Sequence, residues 1–355
     1  MMQPTPDVSI VIAAFNAADT IGRAIAGALE QQGVVLEVIV ADDCSTDATR
    51  QIVAAIVDPR LRLVALPQNR GPGGARNAAI DTARGRWIAV LDADDTLHPD
   101  RLKRMIAKAE AEGAQIVVDN LAVVSADGST QTMFDAHELA FRSELTLPAF
   151  IESNMLFRSQ HNFGYMKPVF ERRFLTEHDL RFDEGLRIGE DYLLLASALA
   201  AGAKCVVDPT VGYLYHITDG SISRVLKLEH VEAMLTADAG FLRRYRLDAA
   251  ALAAQRRRRR NLTEAHSFLT LIGNLKRRSL AGALATALRD PAALRHLSMP
   301  IAARLRRLKE RPSTVRPSEH SAGRAAPAPA PHTNKERPAA PDRLARVPFG
   351  NGTRP

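Results

Sequence analysis

Apolar and polar positions fall into blocks that alternate regularly over the first third of the chain. Val8–Ala14 is an apolar run rich in β-branched residues and interrupted only by Ser9, the pattern of a strand buried on both faces. Ala17–Gln32 places Ile21, Ala24, Ile25, Ala28 and Leu29 at helical spacing, with Gly33 just past its end. Val34–Ala41 predicts a second buried strand, stopped by Asp42-Asp43, and Ser45-Thr46-Asp47 supplies capping chemistry for a helix running to about Val57. A strand at Leu61–Leu66, a helix at Pro72–Arg84 after a glycine-rich turn and a strand at Trp87–Leu91 follow. The series closes with a helix at Pro99–Glu112 and a fifth strand at Gln115–Asp119. Strand and helix alternate with short links, so the fold class is α/β, with a mostly parallel sheet flanked by helices on both faces. In such sheets ligands bind outside the carboxyl ends of the strands.

The second and fourth strands both end in aspartates: Asp42-Asp43 and Asp92-Ala93-Asp94-Asp95. Clustered carboxylates are costly to bury unless a cation or a donor-rich ligand meets them. Helix capping is an equal reading for Asp42 and Asp47 taken alone, but not for the whole set at two strand ends. Asp92-Ala93-Asp94 offers hard oxygen ligands where the chain leaves a strand, which suits Mg2+ or Mn2+ shared with substrate phosphates. The turn Asn69–Asn77 opens a helix and carries Arg70 and Arg76 as candidate cations for phosphate oxygens. It matches neither a Rossmann fingerprint nor a Walker A loop. Farther on, Gly189-Glu190-Asp191 leads into an apolar helix, Tyr192–Ala201. A carboxylate there is favoured by the helix dipole, and it is also where a base for an acceptor hydroxyl can be held rigidly. Tyr213-Leu214-Tyr215-His216 ends another strand before Asp219-Gly220-Ser221; His216 reads equally as a structural residue, a metal ligand or a phosphate donor.

Taken in order, Val8–Asn16, Val38–Asp47, Ala75-Arg76-Asn77, Asp92–Asp95 and Gly189-Glu190-Asp191 resemble the family 2 glycosyltransferases of the GT-A fold, over about residues 1–225. Within that family the likeness is to bacterial exopolysaccharide enzymes of the succinoglycan type. Two positions depart from the family pattern: Ala13 stands where Pro is common and Cys44 where Gly is common. The resemblance implies that Ala13, Phe15 and Asn16 line a nucleotide pocket, that Asp43 binds the uracil edge and that Arg76 lies beside the nucleotide. It further implies that Asp92 contacts the ribose or donor sugar, that Asp94 ligates Mn2+ or Mg2+, with His216 a candidate further ligand, and that Asp191 is the base with Glu190 beside it. The implied reaction is an inverting transfer from a UDP-sugar, with glucose the expected sugar, to a polyprenyl-diphosphate-linked or oligosaccharide acceptor. Two rival readings remain at this stage. A sugar-1-phosphate nucleotidyltransferase would need no base such as Asp191, and a catalytically silent sugar-nucleotide-binding scaffold would need no complete acid set.

Composition adds a division of the chain. Its 355 residues are 46% hydrophobic and 25% charged, near the globular average, which excludes a fibrous or wholly disordered chain. Two cysteines, Cys44 and Cys205, make no disulfide scaffold and point to a reducing compartment. The net charge of +7 hides an asymmetry: residues 1–240 hold 22 Lys and Arg against 33 Asp and Glu, whereas residues 241–355 hold 25 against 7. Residues 226–311 read as a basic helical region, with an arginine run at Arg256–Arg260 and an amphipathic stretch at Ile301–Lys309. Residues 312–355, rich in Pro and Ala, read as a disordered tail. Aromatics are few and no nucleic-acid module is present, so no nucleic-acid partner is expected; an anionic membrane surface fits the basic helices better. With no run of 18 apolar residues and no signal-peptide pattern, the expected location is cytoplasmic, at most peripheral on the inner face of the plasma membrane.

Overall fold

The structure, a computed structural model, describes residues 5–157, 162–217 and 226–296. The expected tail at 312–355, the Ile301–Lys309 stretch and Asp219-Gly220-Ser221 lie outside the described residues.

Four strands build the first half of the sheet, the buried β1 (Val8–Ala14), β2 (Leu36–Asp42) and β4 (Trp87–Asp92) and the half-buried edge strand β3 (Leu61–Ala65). They lie parallel in the order β3-β2-β1-β4. The crossovers run through α1 (Ile21–Leu29), α2 (Thr49–Ala55) and α3 (Gly71–Thr82). Val8, Ile10, Val11, Ile12, Val38, Ile39, Val40, Ile88 and Leu91 are all buried, which is why these strands read as continuous apolar runs. β5 (Thr96–Leu97), α4 (Arg101–Glu112), β6 (Ile116–Val124) and β7 (Thr130–Thr132) follow. After α5 (Ala136–Ala140) and α6 (Leu147–Ser153) come β8 (Val169–Glu171), α7 (Arg172–Glu177), α8 (Glu190–Ala200) and the long β9 (Cys205–His216).

The antiparallel pairs of the expected mixed, mostly parallel sheet lie in its second half. β8 enters antiparallel between β4 and β6, β9 runs parallel to β6, and β5 pairs antiparallel with β9. The full sheet is therefore mixed, in the order β3-β2-β1-β4-β8-β6-β9-β5 with β7 beside β6. Register carries the functional consequence. Ala13 pairs with Ala41 and with Asp92, and Ala14 pairs with Asp42, so β1, β2 and β4 end on one edge.

Several boundaries shift from the sequence expectation for local reasons. Helix α1 starts at Ile21 and not at Ala17, because the Ala17 amide donates to Thr49 Oγ1 and the Ala18 amide to Asp47 Oδ2. Asp47 also accepts from the Thr49 amide, so it bridges two loops as well as opening α2. Strand β6 extends to Val124, past the expected Asp119, because β9 pairs with it along its whole length.

Three helices complete the described fold: α9 (Leu228–Arg244), the 28-residue α10 (Ala249–Lys276) and α11 (Leu280–Arg289), followed by a 3-10 turn at Pro291–His296. The arginine run sits on α10 and is not uniformly a solvent-facing charge patch. Arg258 is buried, donates to Asp238 and to the Asn154 carbonyl, and stacks 3.6 Å from the Tyr192 ring centroid, while Arg257 pairs with Glu152. Part of the run therefore docks α10 on α6, α8 and α9, and Arg256, Arg259 and Arg260 face solvent.

Candidate active site

The carboxyl ends of β1 and β2 open into two loops that lock each other. Asn16, at a left-handed φ of 50°, accepts from the Thr46 amide at 2.9 Å and donates its own amide to Ser45 Oγ at 3.0 Å. Ala13 lies at the end of β1 and Phe15 on the rim, 47% exposed, so a flat ligand above the strand ends would meet an accessible ring. Cys44 sits at φ 64°, a conformation that costs any residue with a Cβ and favours glycine.

Asp43 projects from β2 towards the start of α3. Its two oxygens accept from the backbone amides of Arg70 at 2.6 Å and Gly71 at 2.8 Å. Gly71 reaches this position at φ 78°, where a side chain would also collide with Arg187. Burial pushes the Asp43 carboxyl above its usual range, with the two amides opposing it. The acid at the expected uracil position is thus fixed in direction by α3.

Arg76, on the buried face of α3, is the hub of the site. Its Nη2 donates to Asp92 Oδ1 at 2.7 Å, and its Nη1 to Glu190 Oε1 at 2.8 Å and Asp191 Oδ1 at 2.9 Å. Burial opposes its charge, but Asp191, Asp92 and Glu190 outweigh that and raise its pKa well above the ordinary value. Arg76 was expected beside the nucleotide as a phosphate cation; its guanidinium is committed to three carboxylates. Lys167, just before β8, had no place in the expected set. Its Nζ lies 2.8 Å from Asp92 Oδ2 and 2.9 Å from Asp191 Oδ2. Burial again works against the charge and is overcome by Asp191 and Asp92. Asp92, pushed up by burial, is held well below the carboxylate range by Lys167 and Arg76, whereas burial and then the Asp191 charge push Glu190 up. Two cations and three carboxylates from four separate segments form one network.

The segment that delivers Glu190 and Asp191 is tethered to α3. Asn77 donates to the Phe182 carbonyl and accepts from the Phe182 amide, both at 2.9 Å. Arg70 grips Glu184 with two nitrogens, and Arg187 donates to Asn69. Gly189 then turns the chain at φ 92° into α8, leaving both acids in its first turn as expected. The Ala75-Arg76-Asn77 motif therefore holds the loop leading into α8 as well as the acids.

Asp94, in the turn after β4, and His216, at the end of β9, have partners other than Arg76 and Lys167. Arg23 Nη2 donates to the Asp94 carbonyl at 2.8 Å, and the same arginine, after burial, lowers the His216 pKa. His216 Nε2 is 2.9 Å from Thr96 Oγ1. Between them the buried Asp95 accepts from Tyr213 Oη at 2.7 Å and from the His216 amide at 2.9 Å. Tyr213 Oη in turn accepts the Asp92 amide at 3.1 Å. Burial, with Asp92 and Asp94 nearby, pushes Asp95 well above the carboxylate range. Asp95 and Tyr213 thus shape the acidic turn, a role that the sequence motif did not distinguish from ligation. Among the described residues no three His, Cys, Asp or Glu side chains cluster as a metal site.

Comparison with known proteins places this geometry in a group. Residues 9–174 match the family model described as glycosyl transferase family 2. The chain is 68% identical over 322 residues to the succinoglycan biosynthesis protein ExoO of Rhizobium meliloti (strain 1021), covering 91% of this chain and 92% of that protein. It is 36% identical over 293 residues to the succinoglycan biosynthesis protein ExoU of the same organism, covering 81% and 84%. Among solved structures, S. aureus TarS 1–349 in complex with UDP-GlcNAc superposes with a TM-score of 0.57 at 19% identity, covering 80% of this chain and 92% of that one. That last likeness is one of fold.

Proposed function

The chain belongs to glycosyl transferase family 2, and from that premise we propose that it transfers a hexosyl group, glucose in our reading, from a UDP-sugar to a lipid-linked oligosaccharide during exopolysaccharide synthesis, with inversion at the anomeric carbon. The observation that carries this reading is the convergence of Asp191, at the start of α8, with Asp92, at the end of β4, through Arg76 and Lys167. A base and a donor-side acid lie in one network, which single-displacement chemistry requires.

In this reading Phe15 and the rest of the β1 rim cover the nucleotide, Asp43 accepts from the uracil edge and Asp92 orients the ribose or donor sugar. Asp191 takes the proton of the acceptor hydroxyl as its oxygen bonds to the anomeric carbon and the bond to the diphosphate oxygen breaks. An α-linked donor then gives a β-linked product. Arg76 and Lys167 keep Asp191 in place and set two positive charges near the departing diphosphate. Glu190, buried beside Asp191, helps fix Arg76. The donor chemistry of Asp94 and of an imidazole kept neutral fits Mn2+ or Mg2+ completed by diphosphate oxygens. Bound there, the cation would neutralise charge growing on the leaving group.

The test is Asp191→Asn. Transfer from the UDP-sugar falls about 10²–10⁴-fold while UDP binding persists, since removing a general base costs that much. An α-linked product from the wild-type protein, or an Asp191→Asn variant with unchanged turnover, refutes the mechanism.

A further inference from the structure

Helix α11 presents an apolar face to solvent. Leu280, Leu284 and Leu288 are 74%, 62% and 74% exposed and stand four residues apart, so they form one stripe. Ala281 and Ala285 are exposed as well. The opposite side of the helix is anchored: Ala283 packs with Leu271 of α10 and with Ala293, and Asn274 Nδ2 donates to Thr286 Oγ1 at 3.2 Å. Isolated exposed leucines are ordinary on a protein surface, but three in register on one helix are not.

The charges around the stripe are mostly positive, with Asp290 at the helix C-cap the exception. Exposed Lys276, Arg277 and Arg278 precede it, and exposed Arg289 and Arg295 follow it. Between Glu264 and Asp290 the sequence has no acidic residue. We infer that this face of α11 is a docking surface for an anionic lipid bilayer, with the three leucines in the acyl boundary and the flanking cations at the headgroups. That geometry is how a short amphipathic helix binds a membrane in the interface plane. A second copy of the chain is a poorer occupant. Apposing two such faces, parallel or antiparallel, brings cationic ends against cationic ends, whereas phosphate headgroups neutralise them. No described helix is long and apolar enough to cross a membrane, so the contact proposed is peripheral. The inference does not depend on which sugar is transferred.

Flotation of the full chain with vesicles tests it. The wild-type protein floats with phosphatidylglycerol–phosphatidylcholine vesicles and stays behind with pure phosphatidylcholine. Replacing the stripe (Leu280→Ser, Leu284→Ser, Leu288→Ser) lowers partitioning roughly a hundredfold while the urea midpoint is kept, because the side chains are already in water. Retained flotation of this variant overturns the inference. So does a wild-type dimer, seen by sedimentation, that the triple variant dissolves without losing vesicle binding. Binding that is lost on deleting residues 297–355 but kept in the triple variant assigns docking elsewhere and overturns it equally.

Discussion

Replacing Lys167 with Met removes the ammonium between Asp92 and Asp191 while keeping an apolar stem of similar length. Three carboxylates then depend on Arg76 alone, whose Nη1 already serves two of them. Each lost pair, at 2.8 and 2.9 Å, is of a size that contributes about 6 kcal/mol at an effective dielectric near 20. The cost of burying the ammonium offsets part of that gain, and breaking a fully buried pair by removing one partner costs about 3–5 kcal/mol. The Asp92 and Asp191 side chains are still 24% and 21% exposed, so water takes up some of the freed charge. The expected loss is therefore about 2–3 kcal/mol, below the fully buried range. Urea unfolding read by Trp87, the single tryptophan and a buried one, measures it directly. Because Lys167 acts through Asp191, the same replacement in an Asp191→Asn background should cost at least about 1 kcal/mol less, a coupling typical of contacting charges. Turnover of the Lys167→Met variant should also fall more steeply than its UDP affinity. Stability within about 0.5 kcal/mol of wild type, or strict additivity in the cycle, would show that the ammonium is a bystander.

Two further outcomes follow from groups outside the site. Arg101 and Asp119 are fully buried and joined by two hydrogen bonds, so Arg101→Met should cost about 3–5 kcal/mol, whereas Arg101→Met with Asp119→Leu should recover most of it in the same urea assay. Glu37 is pushed up by burial, yet the Ser9 hydroxyl and the Arg84 amide and guanidinium bring it below its usual value. A depressed carboxylate stabilises the fold above its unfolded pKa of about 4.3 and loses that contribution as pH falls through the folded value. Glu37→Gln should therefore cost about 1–2 kcal/mol at neutral pH, and the gap to wild type should narrow below about pH 4; a constant gap would show that the charge is not responsible.

The parallel half of the fold was legible because β1, β2 and β4 are buried on both faces and announce themselves as apolar runs, β2 and β4 ending in acids. Asp43, Asp92, Glu190 and Asp191 could be read for the same reason: carboxylates at strand and helix ends stand out against their neighbours. Lys167 could not. It lies in a stretch with short elements and little periodicity, and its meaning comes only from β8 entering antiparallel beside β4, a pairing across more than seventy residues of sequence. Arg76 was expected as a phosphate cation beside the nucleotide, because sequence shows a charge and not the three carboxylates folded around it. The arginine run misled in the opposite direction. Five adjacent cations look like a surface patch, and nothing local reveals that Arg258 turns inward to Asp238 and the Tyr192 ring.

The position of Arg76 also bears on what part of this chain can be cut away. The segment shared across the family, residues 9–174, contains Arg76, Asp92 and Lys167 but ends before Glu190 and Asp191. A fragment trimmed to that length would keep two buried cations and one of their three acids, and would lose the Phe182–Glu184 strap that Asn77 and Arg70 hold against α3. Each cation stranded in this way costs several kcal/mol, comparable to the whole margin by which a domain is stable. The smallest piece able to melt cooperatively should therefore extend through α8, and the acids that surround Arg76 belong to the folding unit.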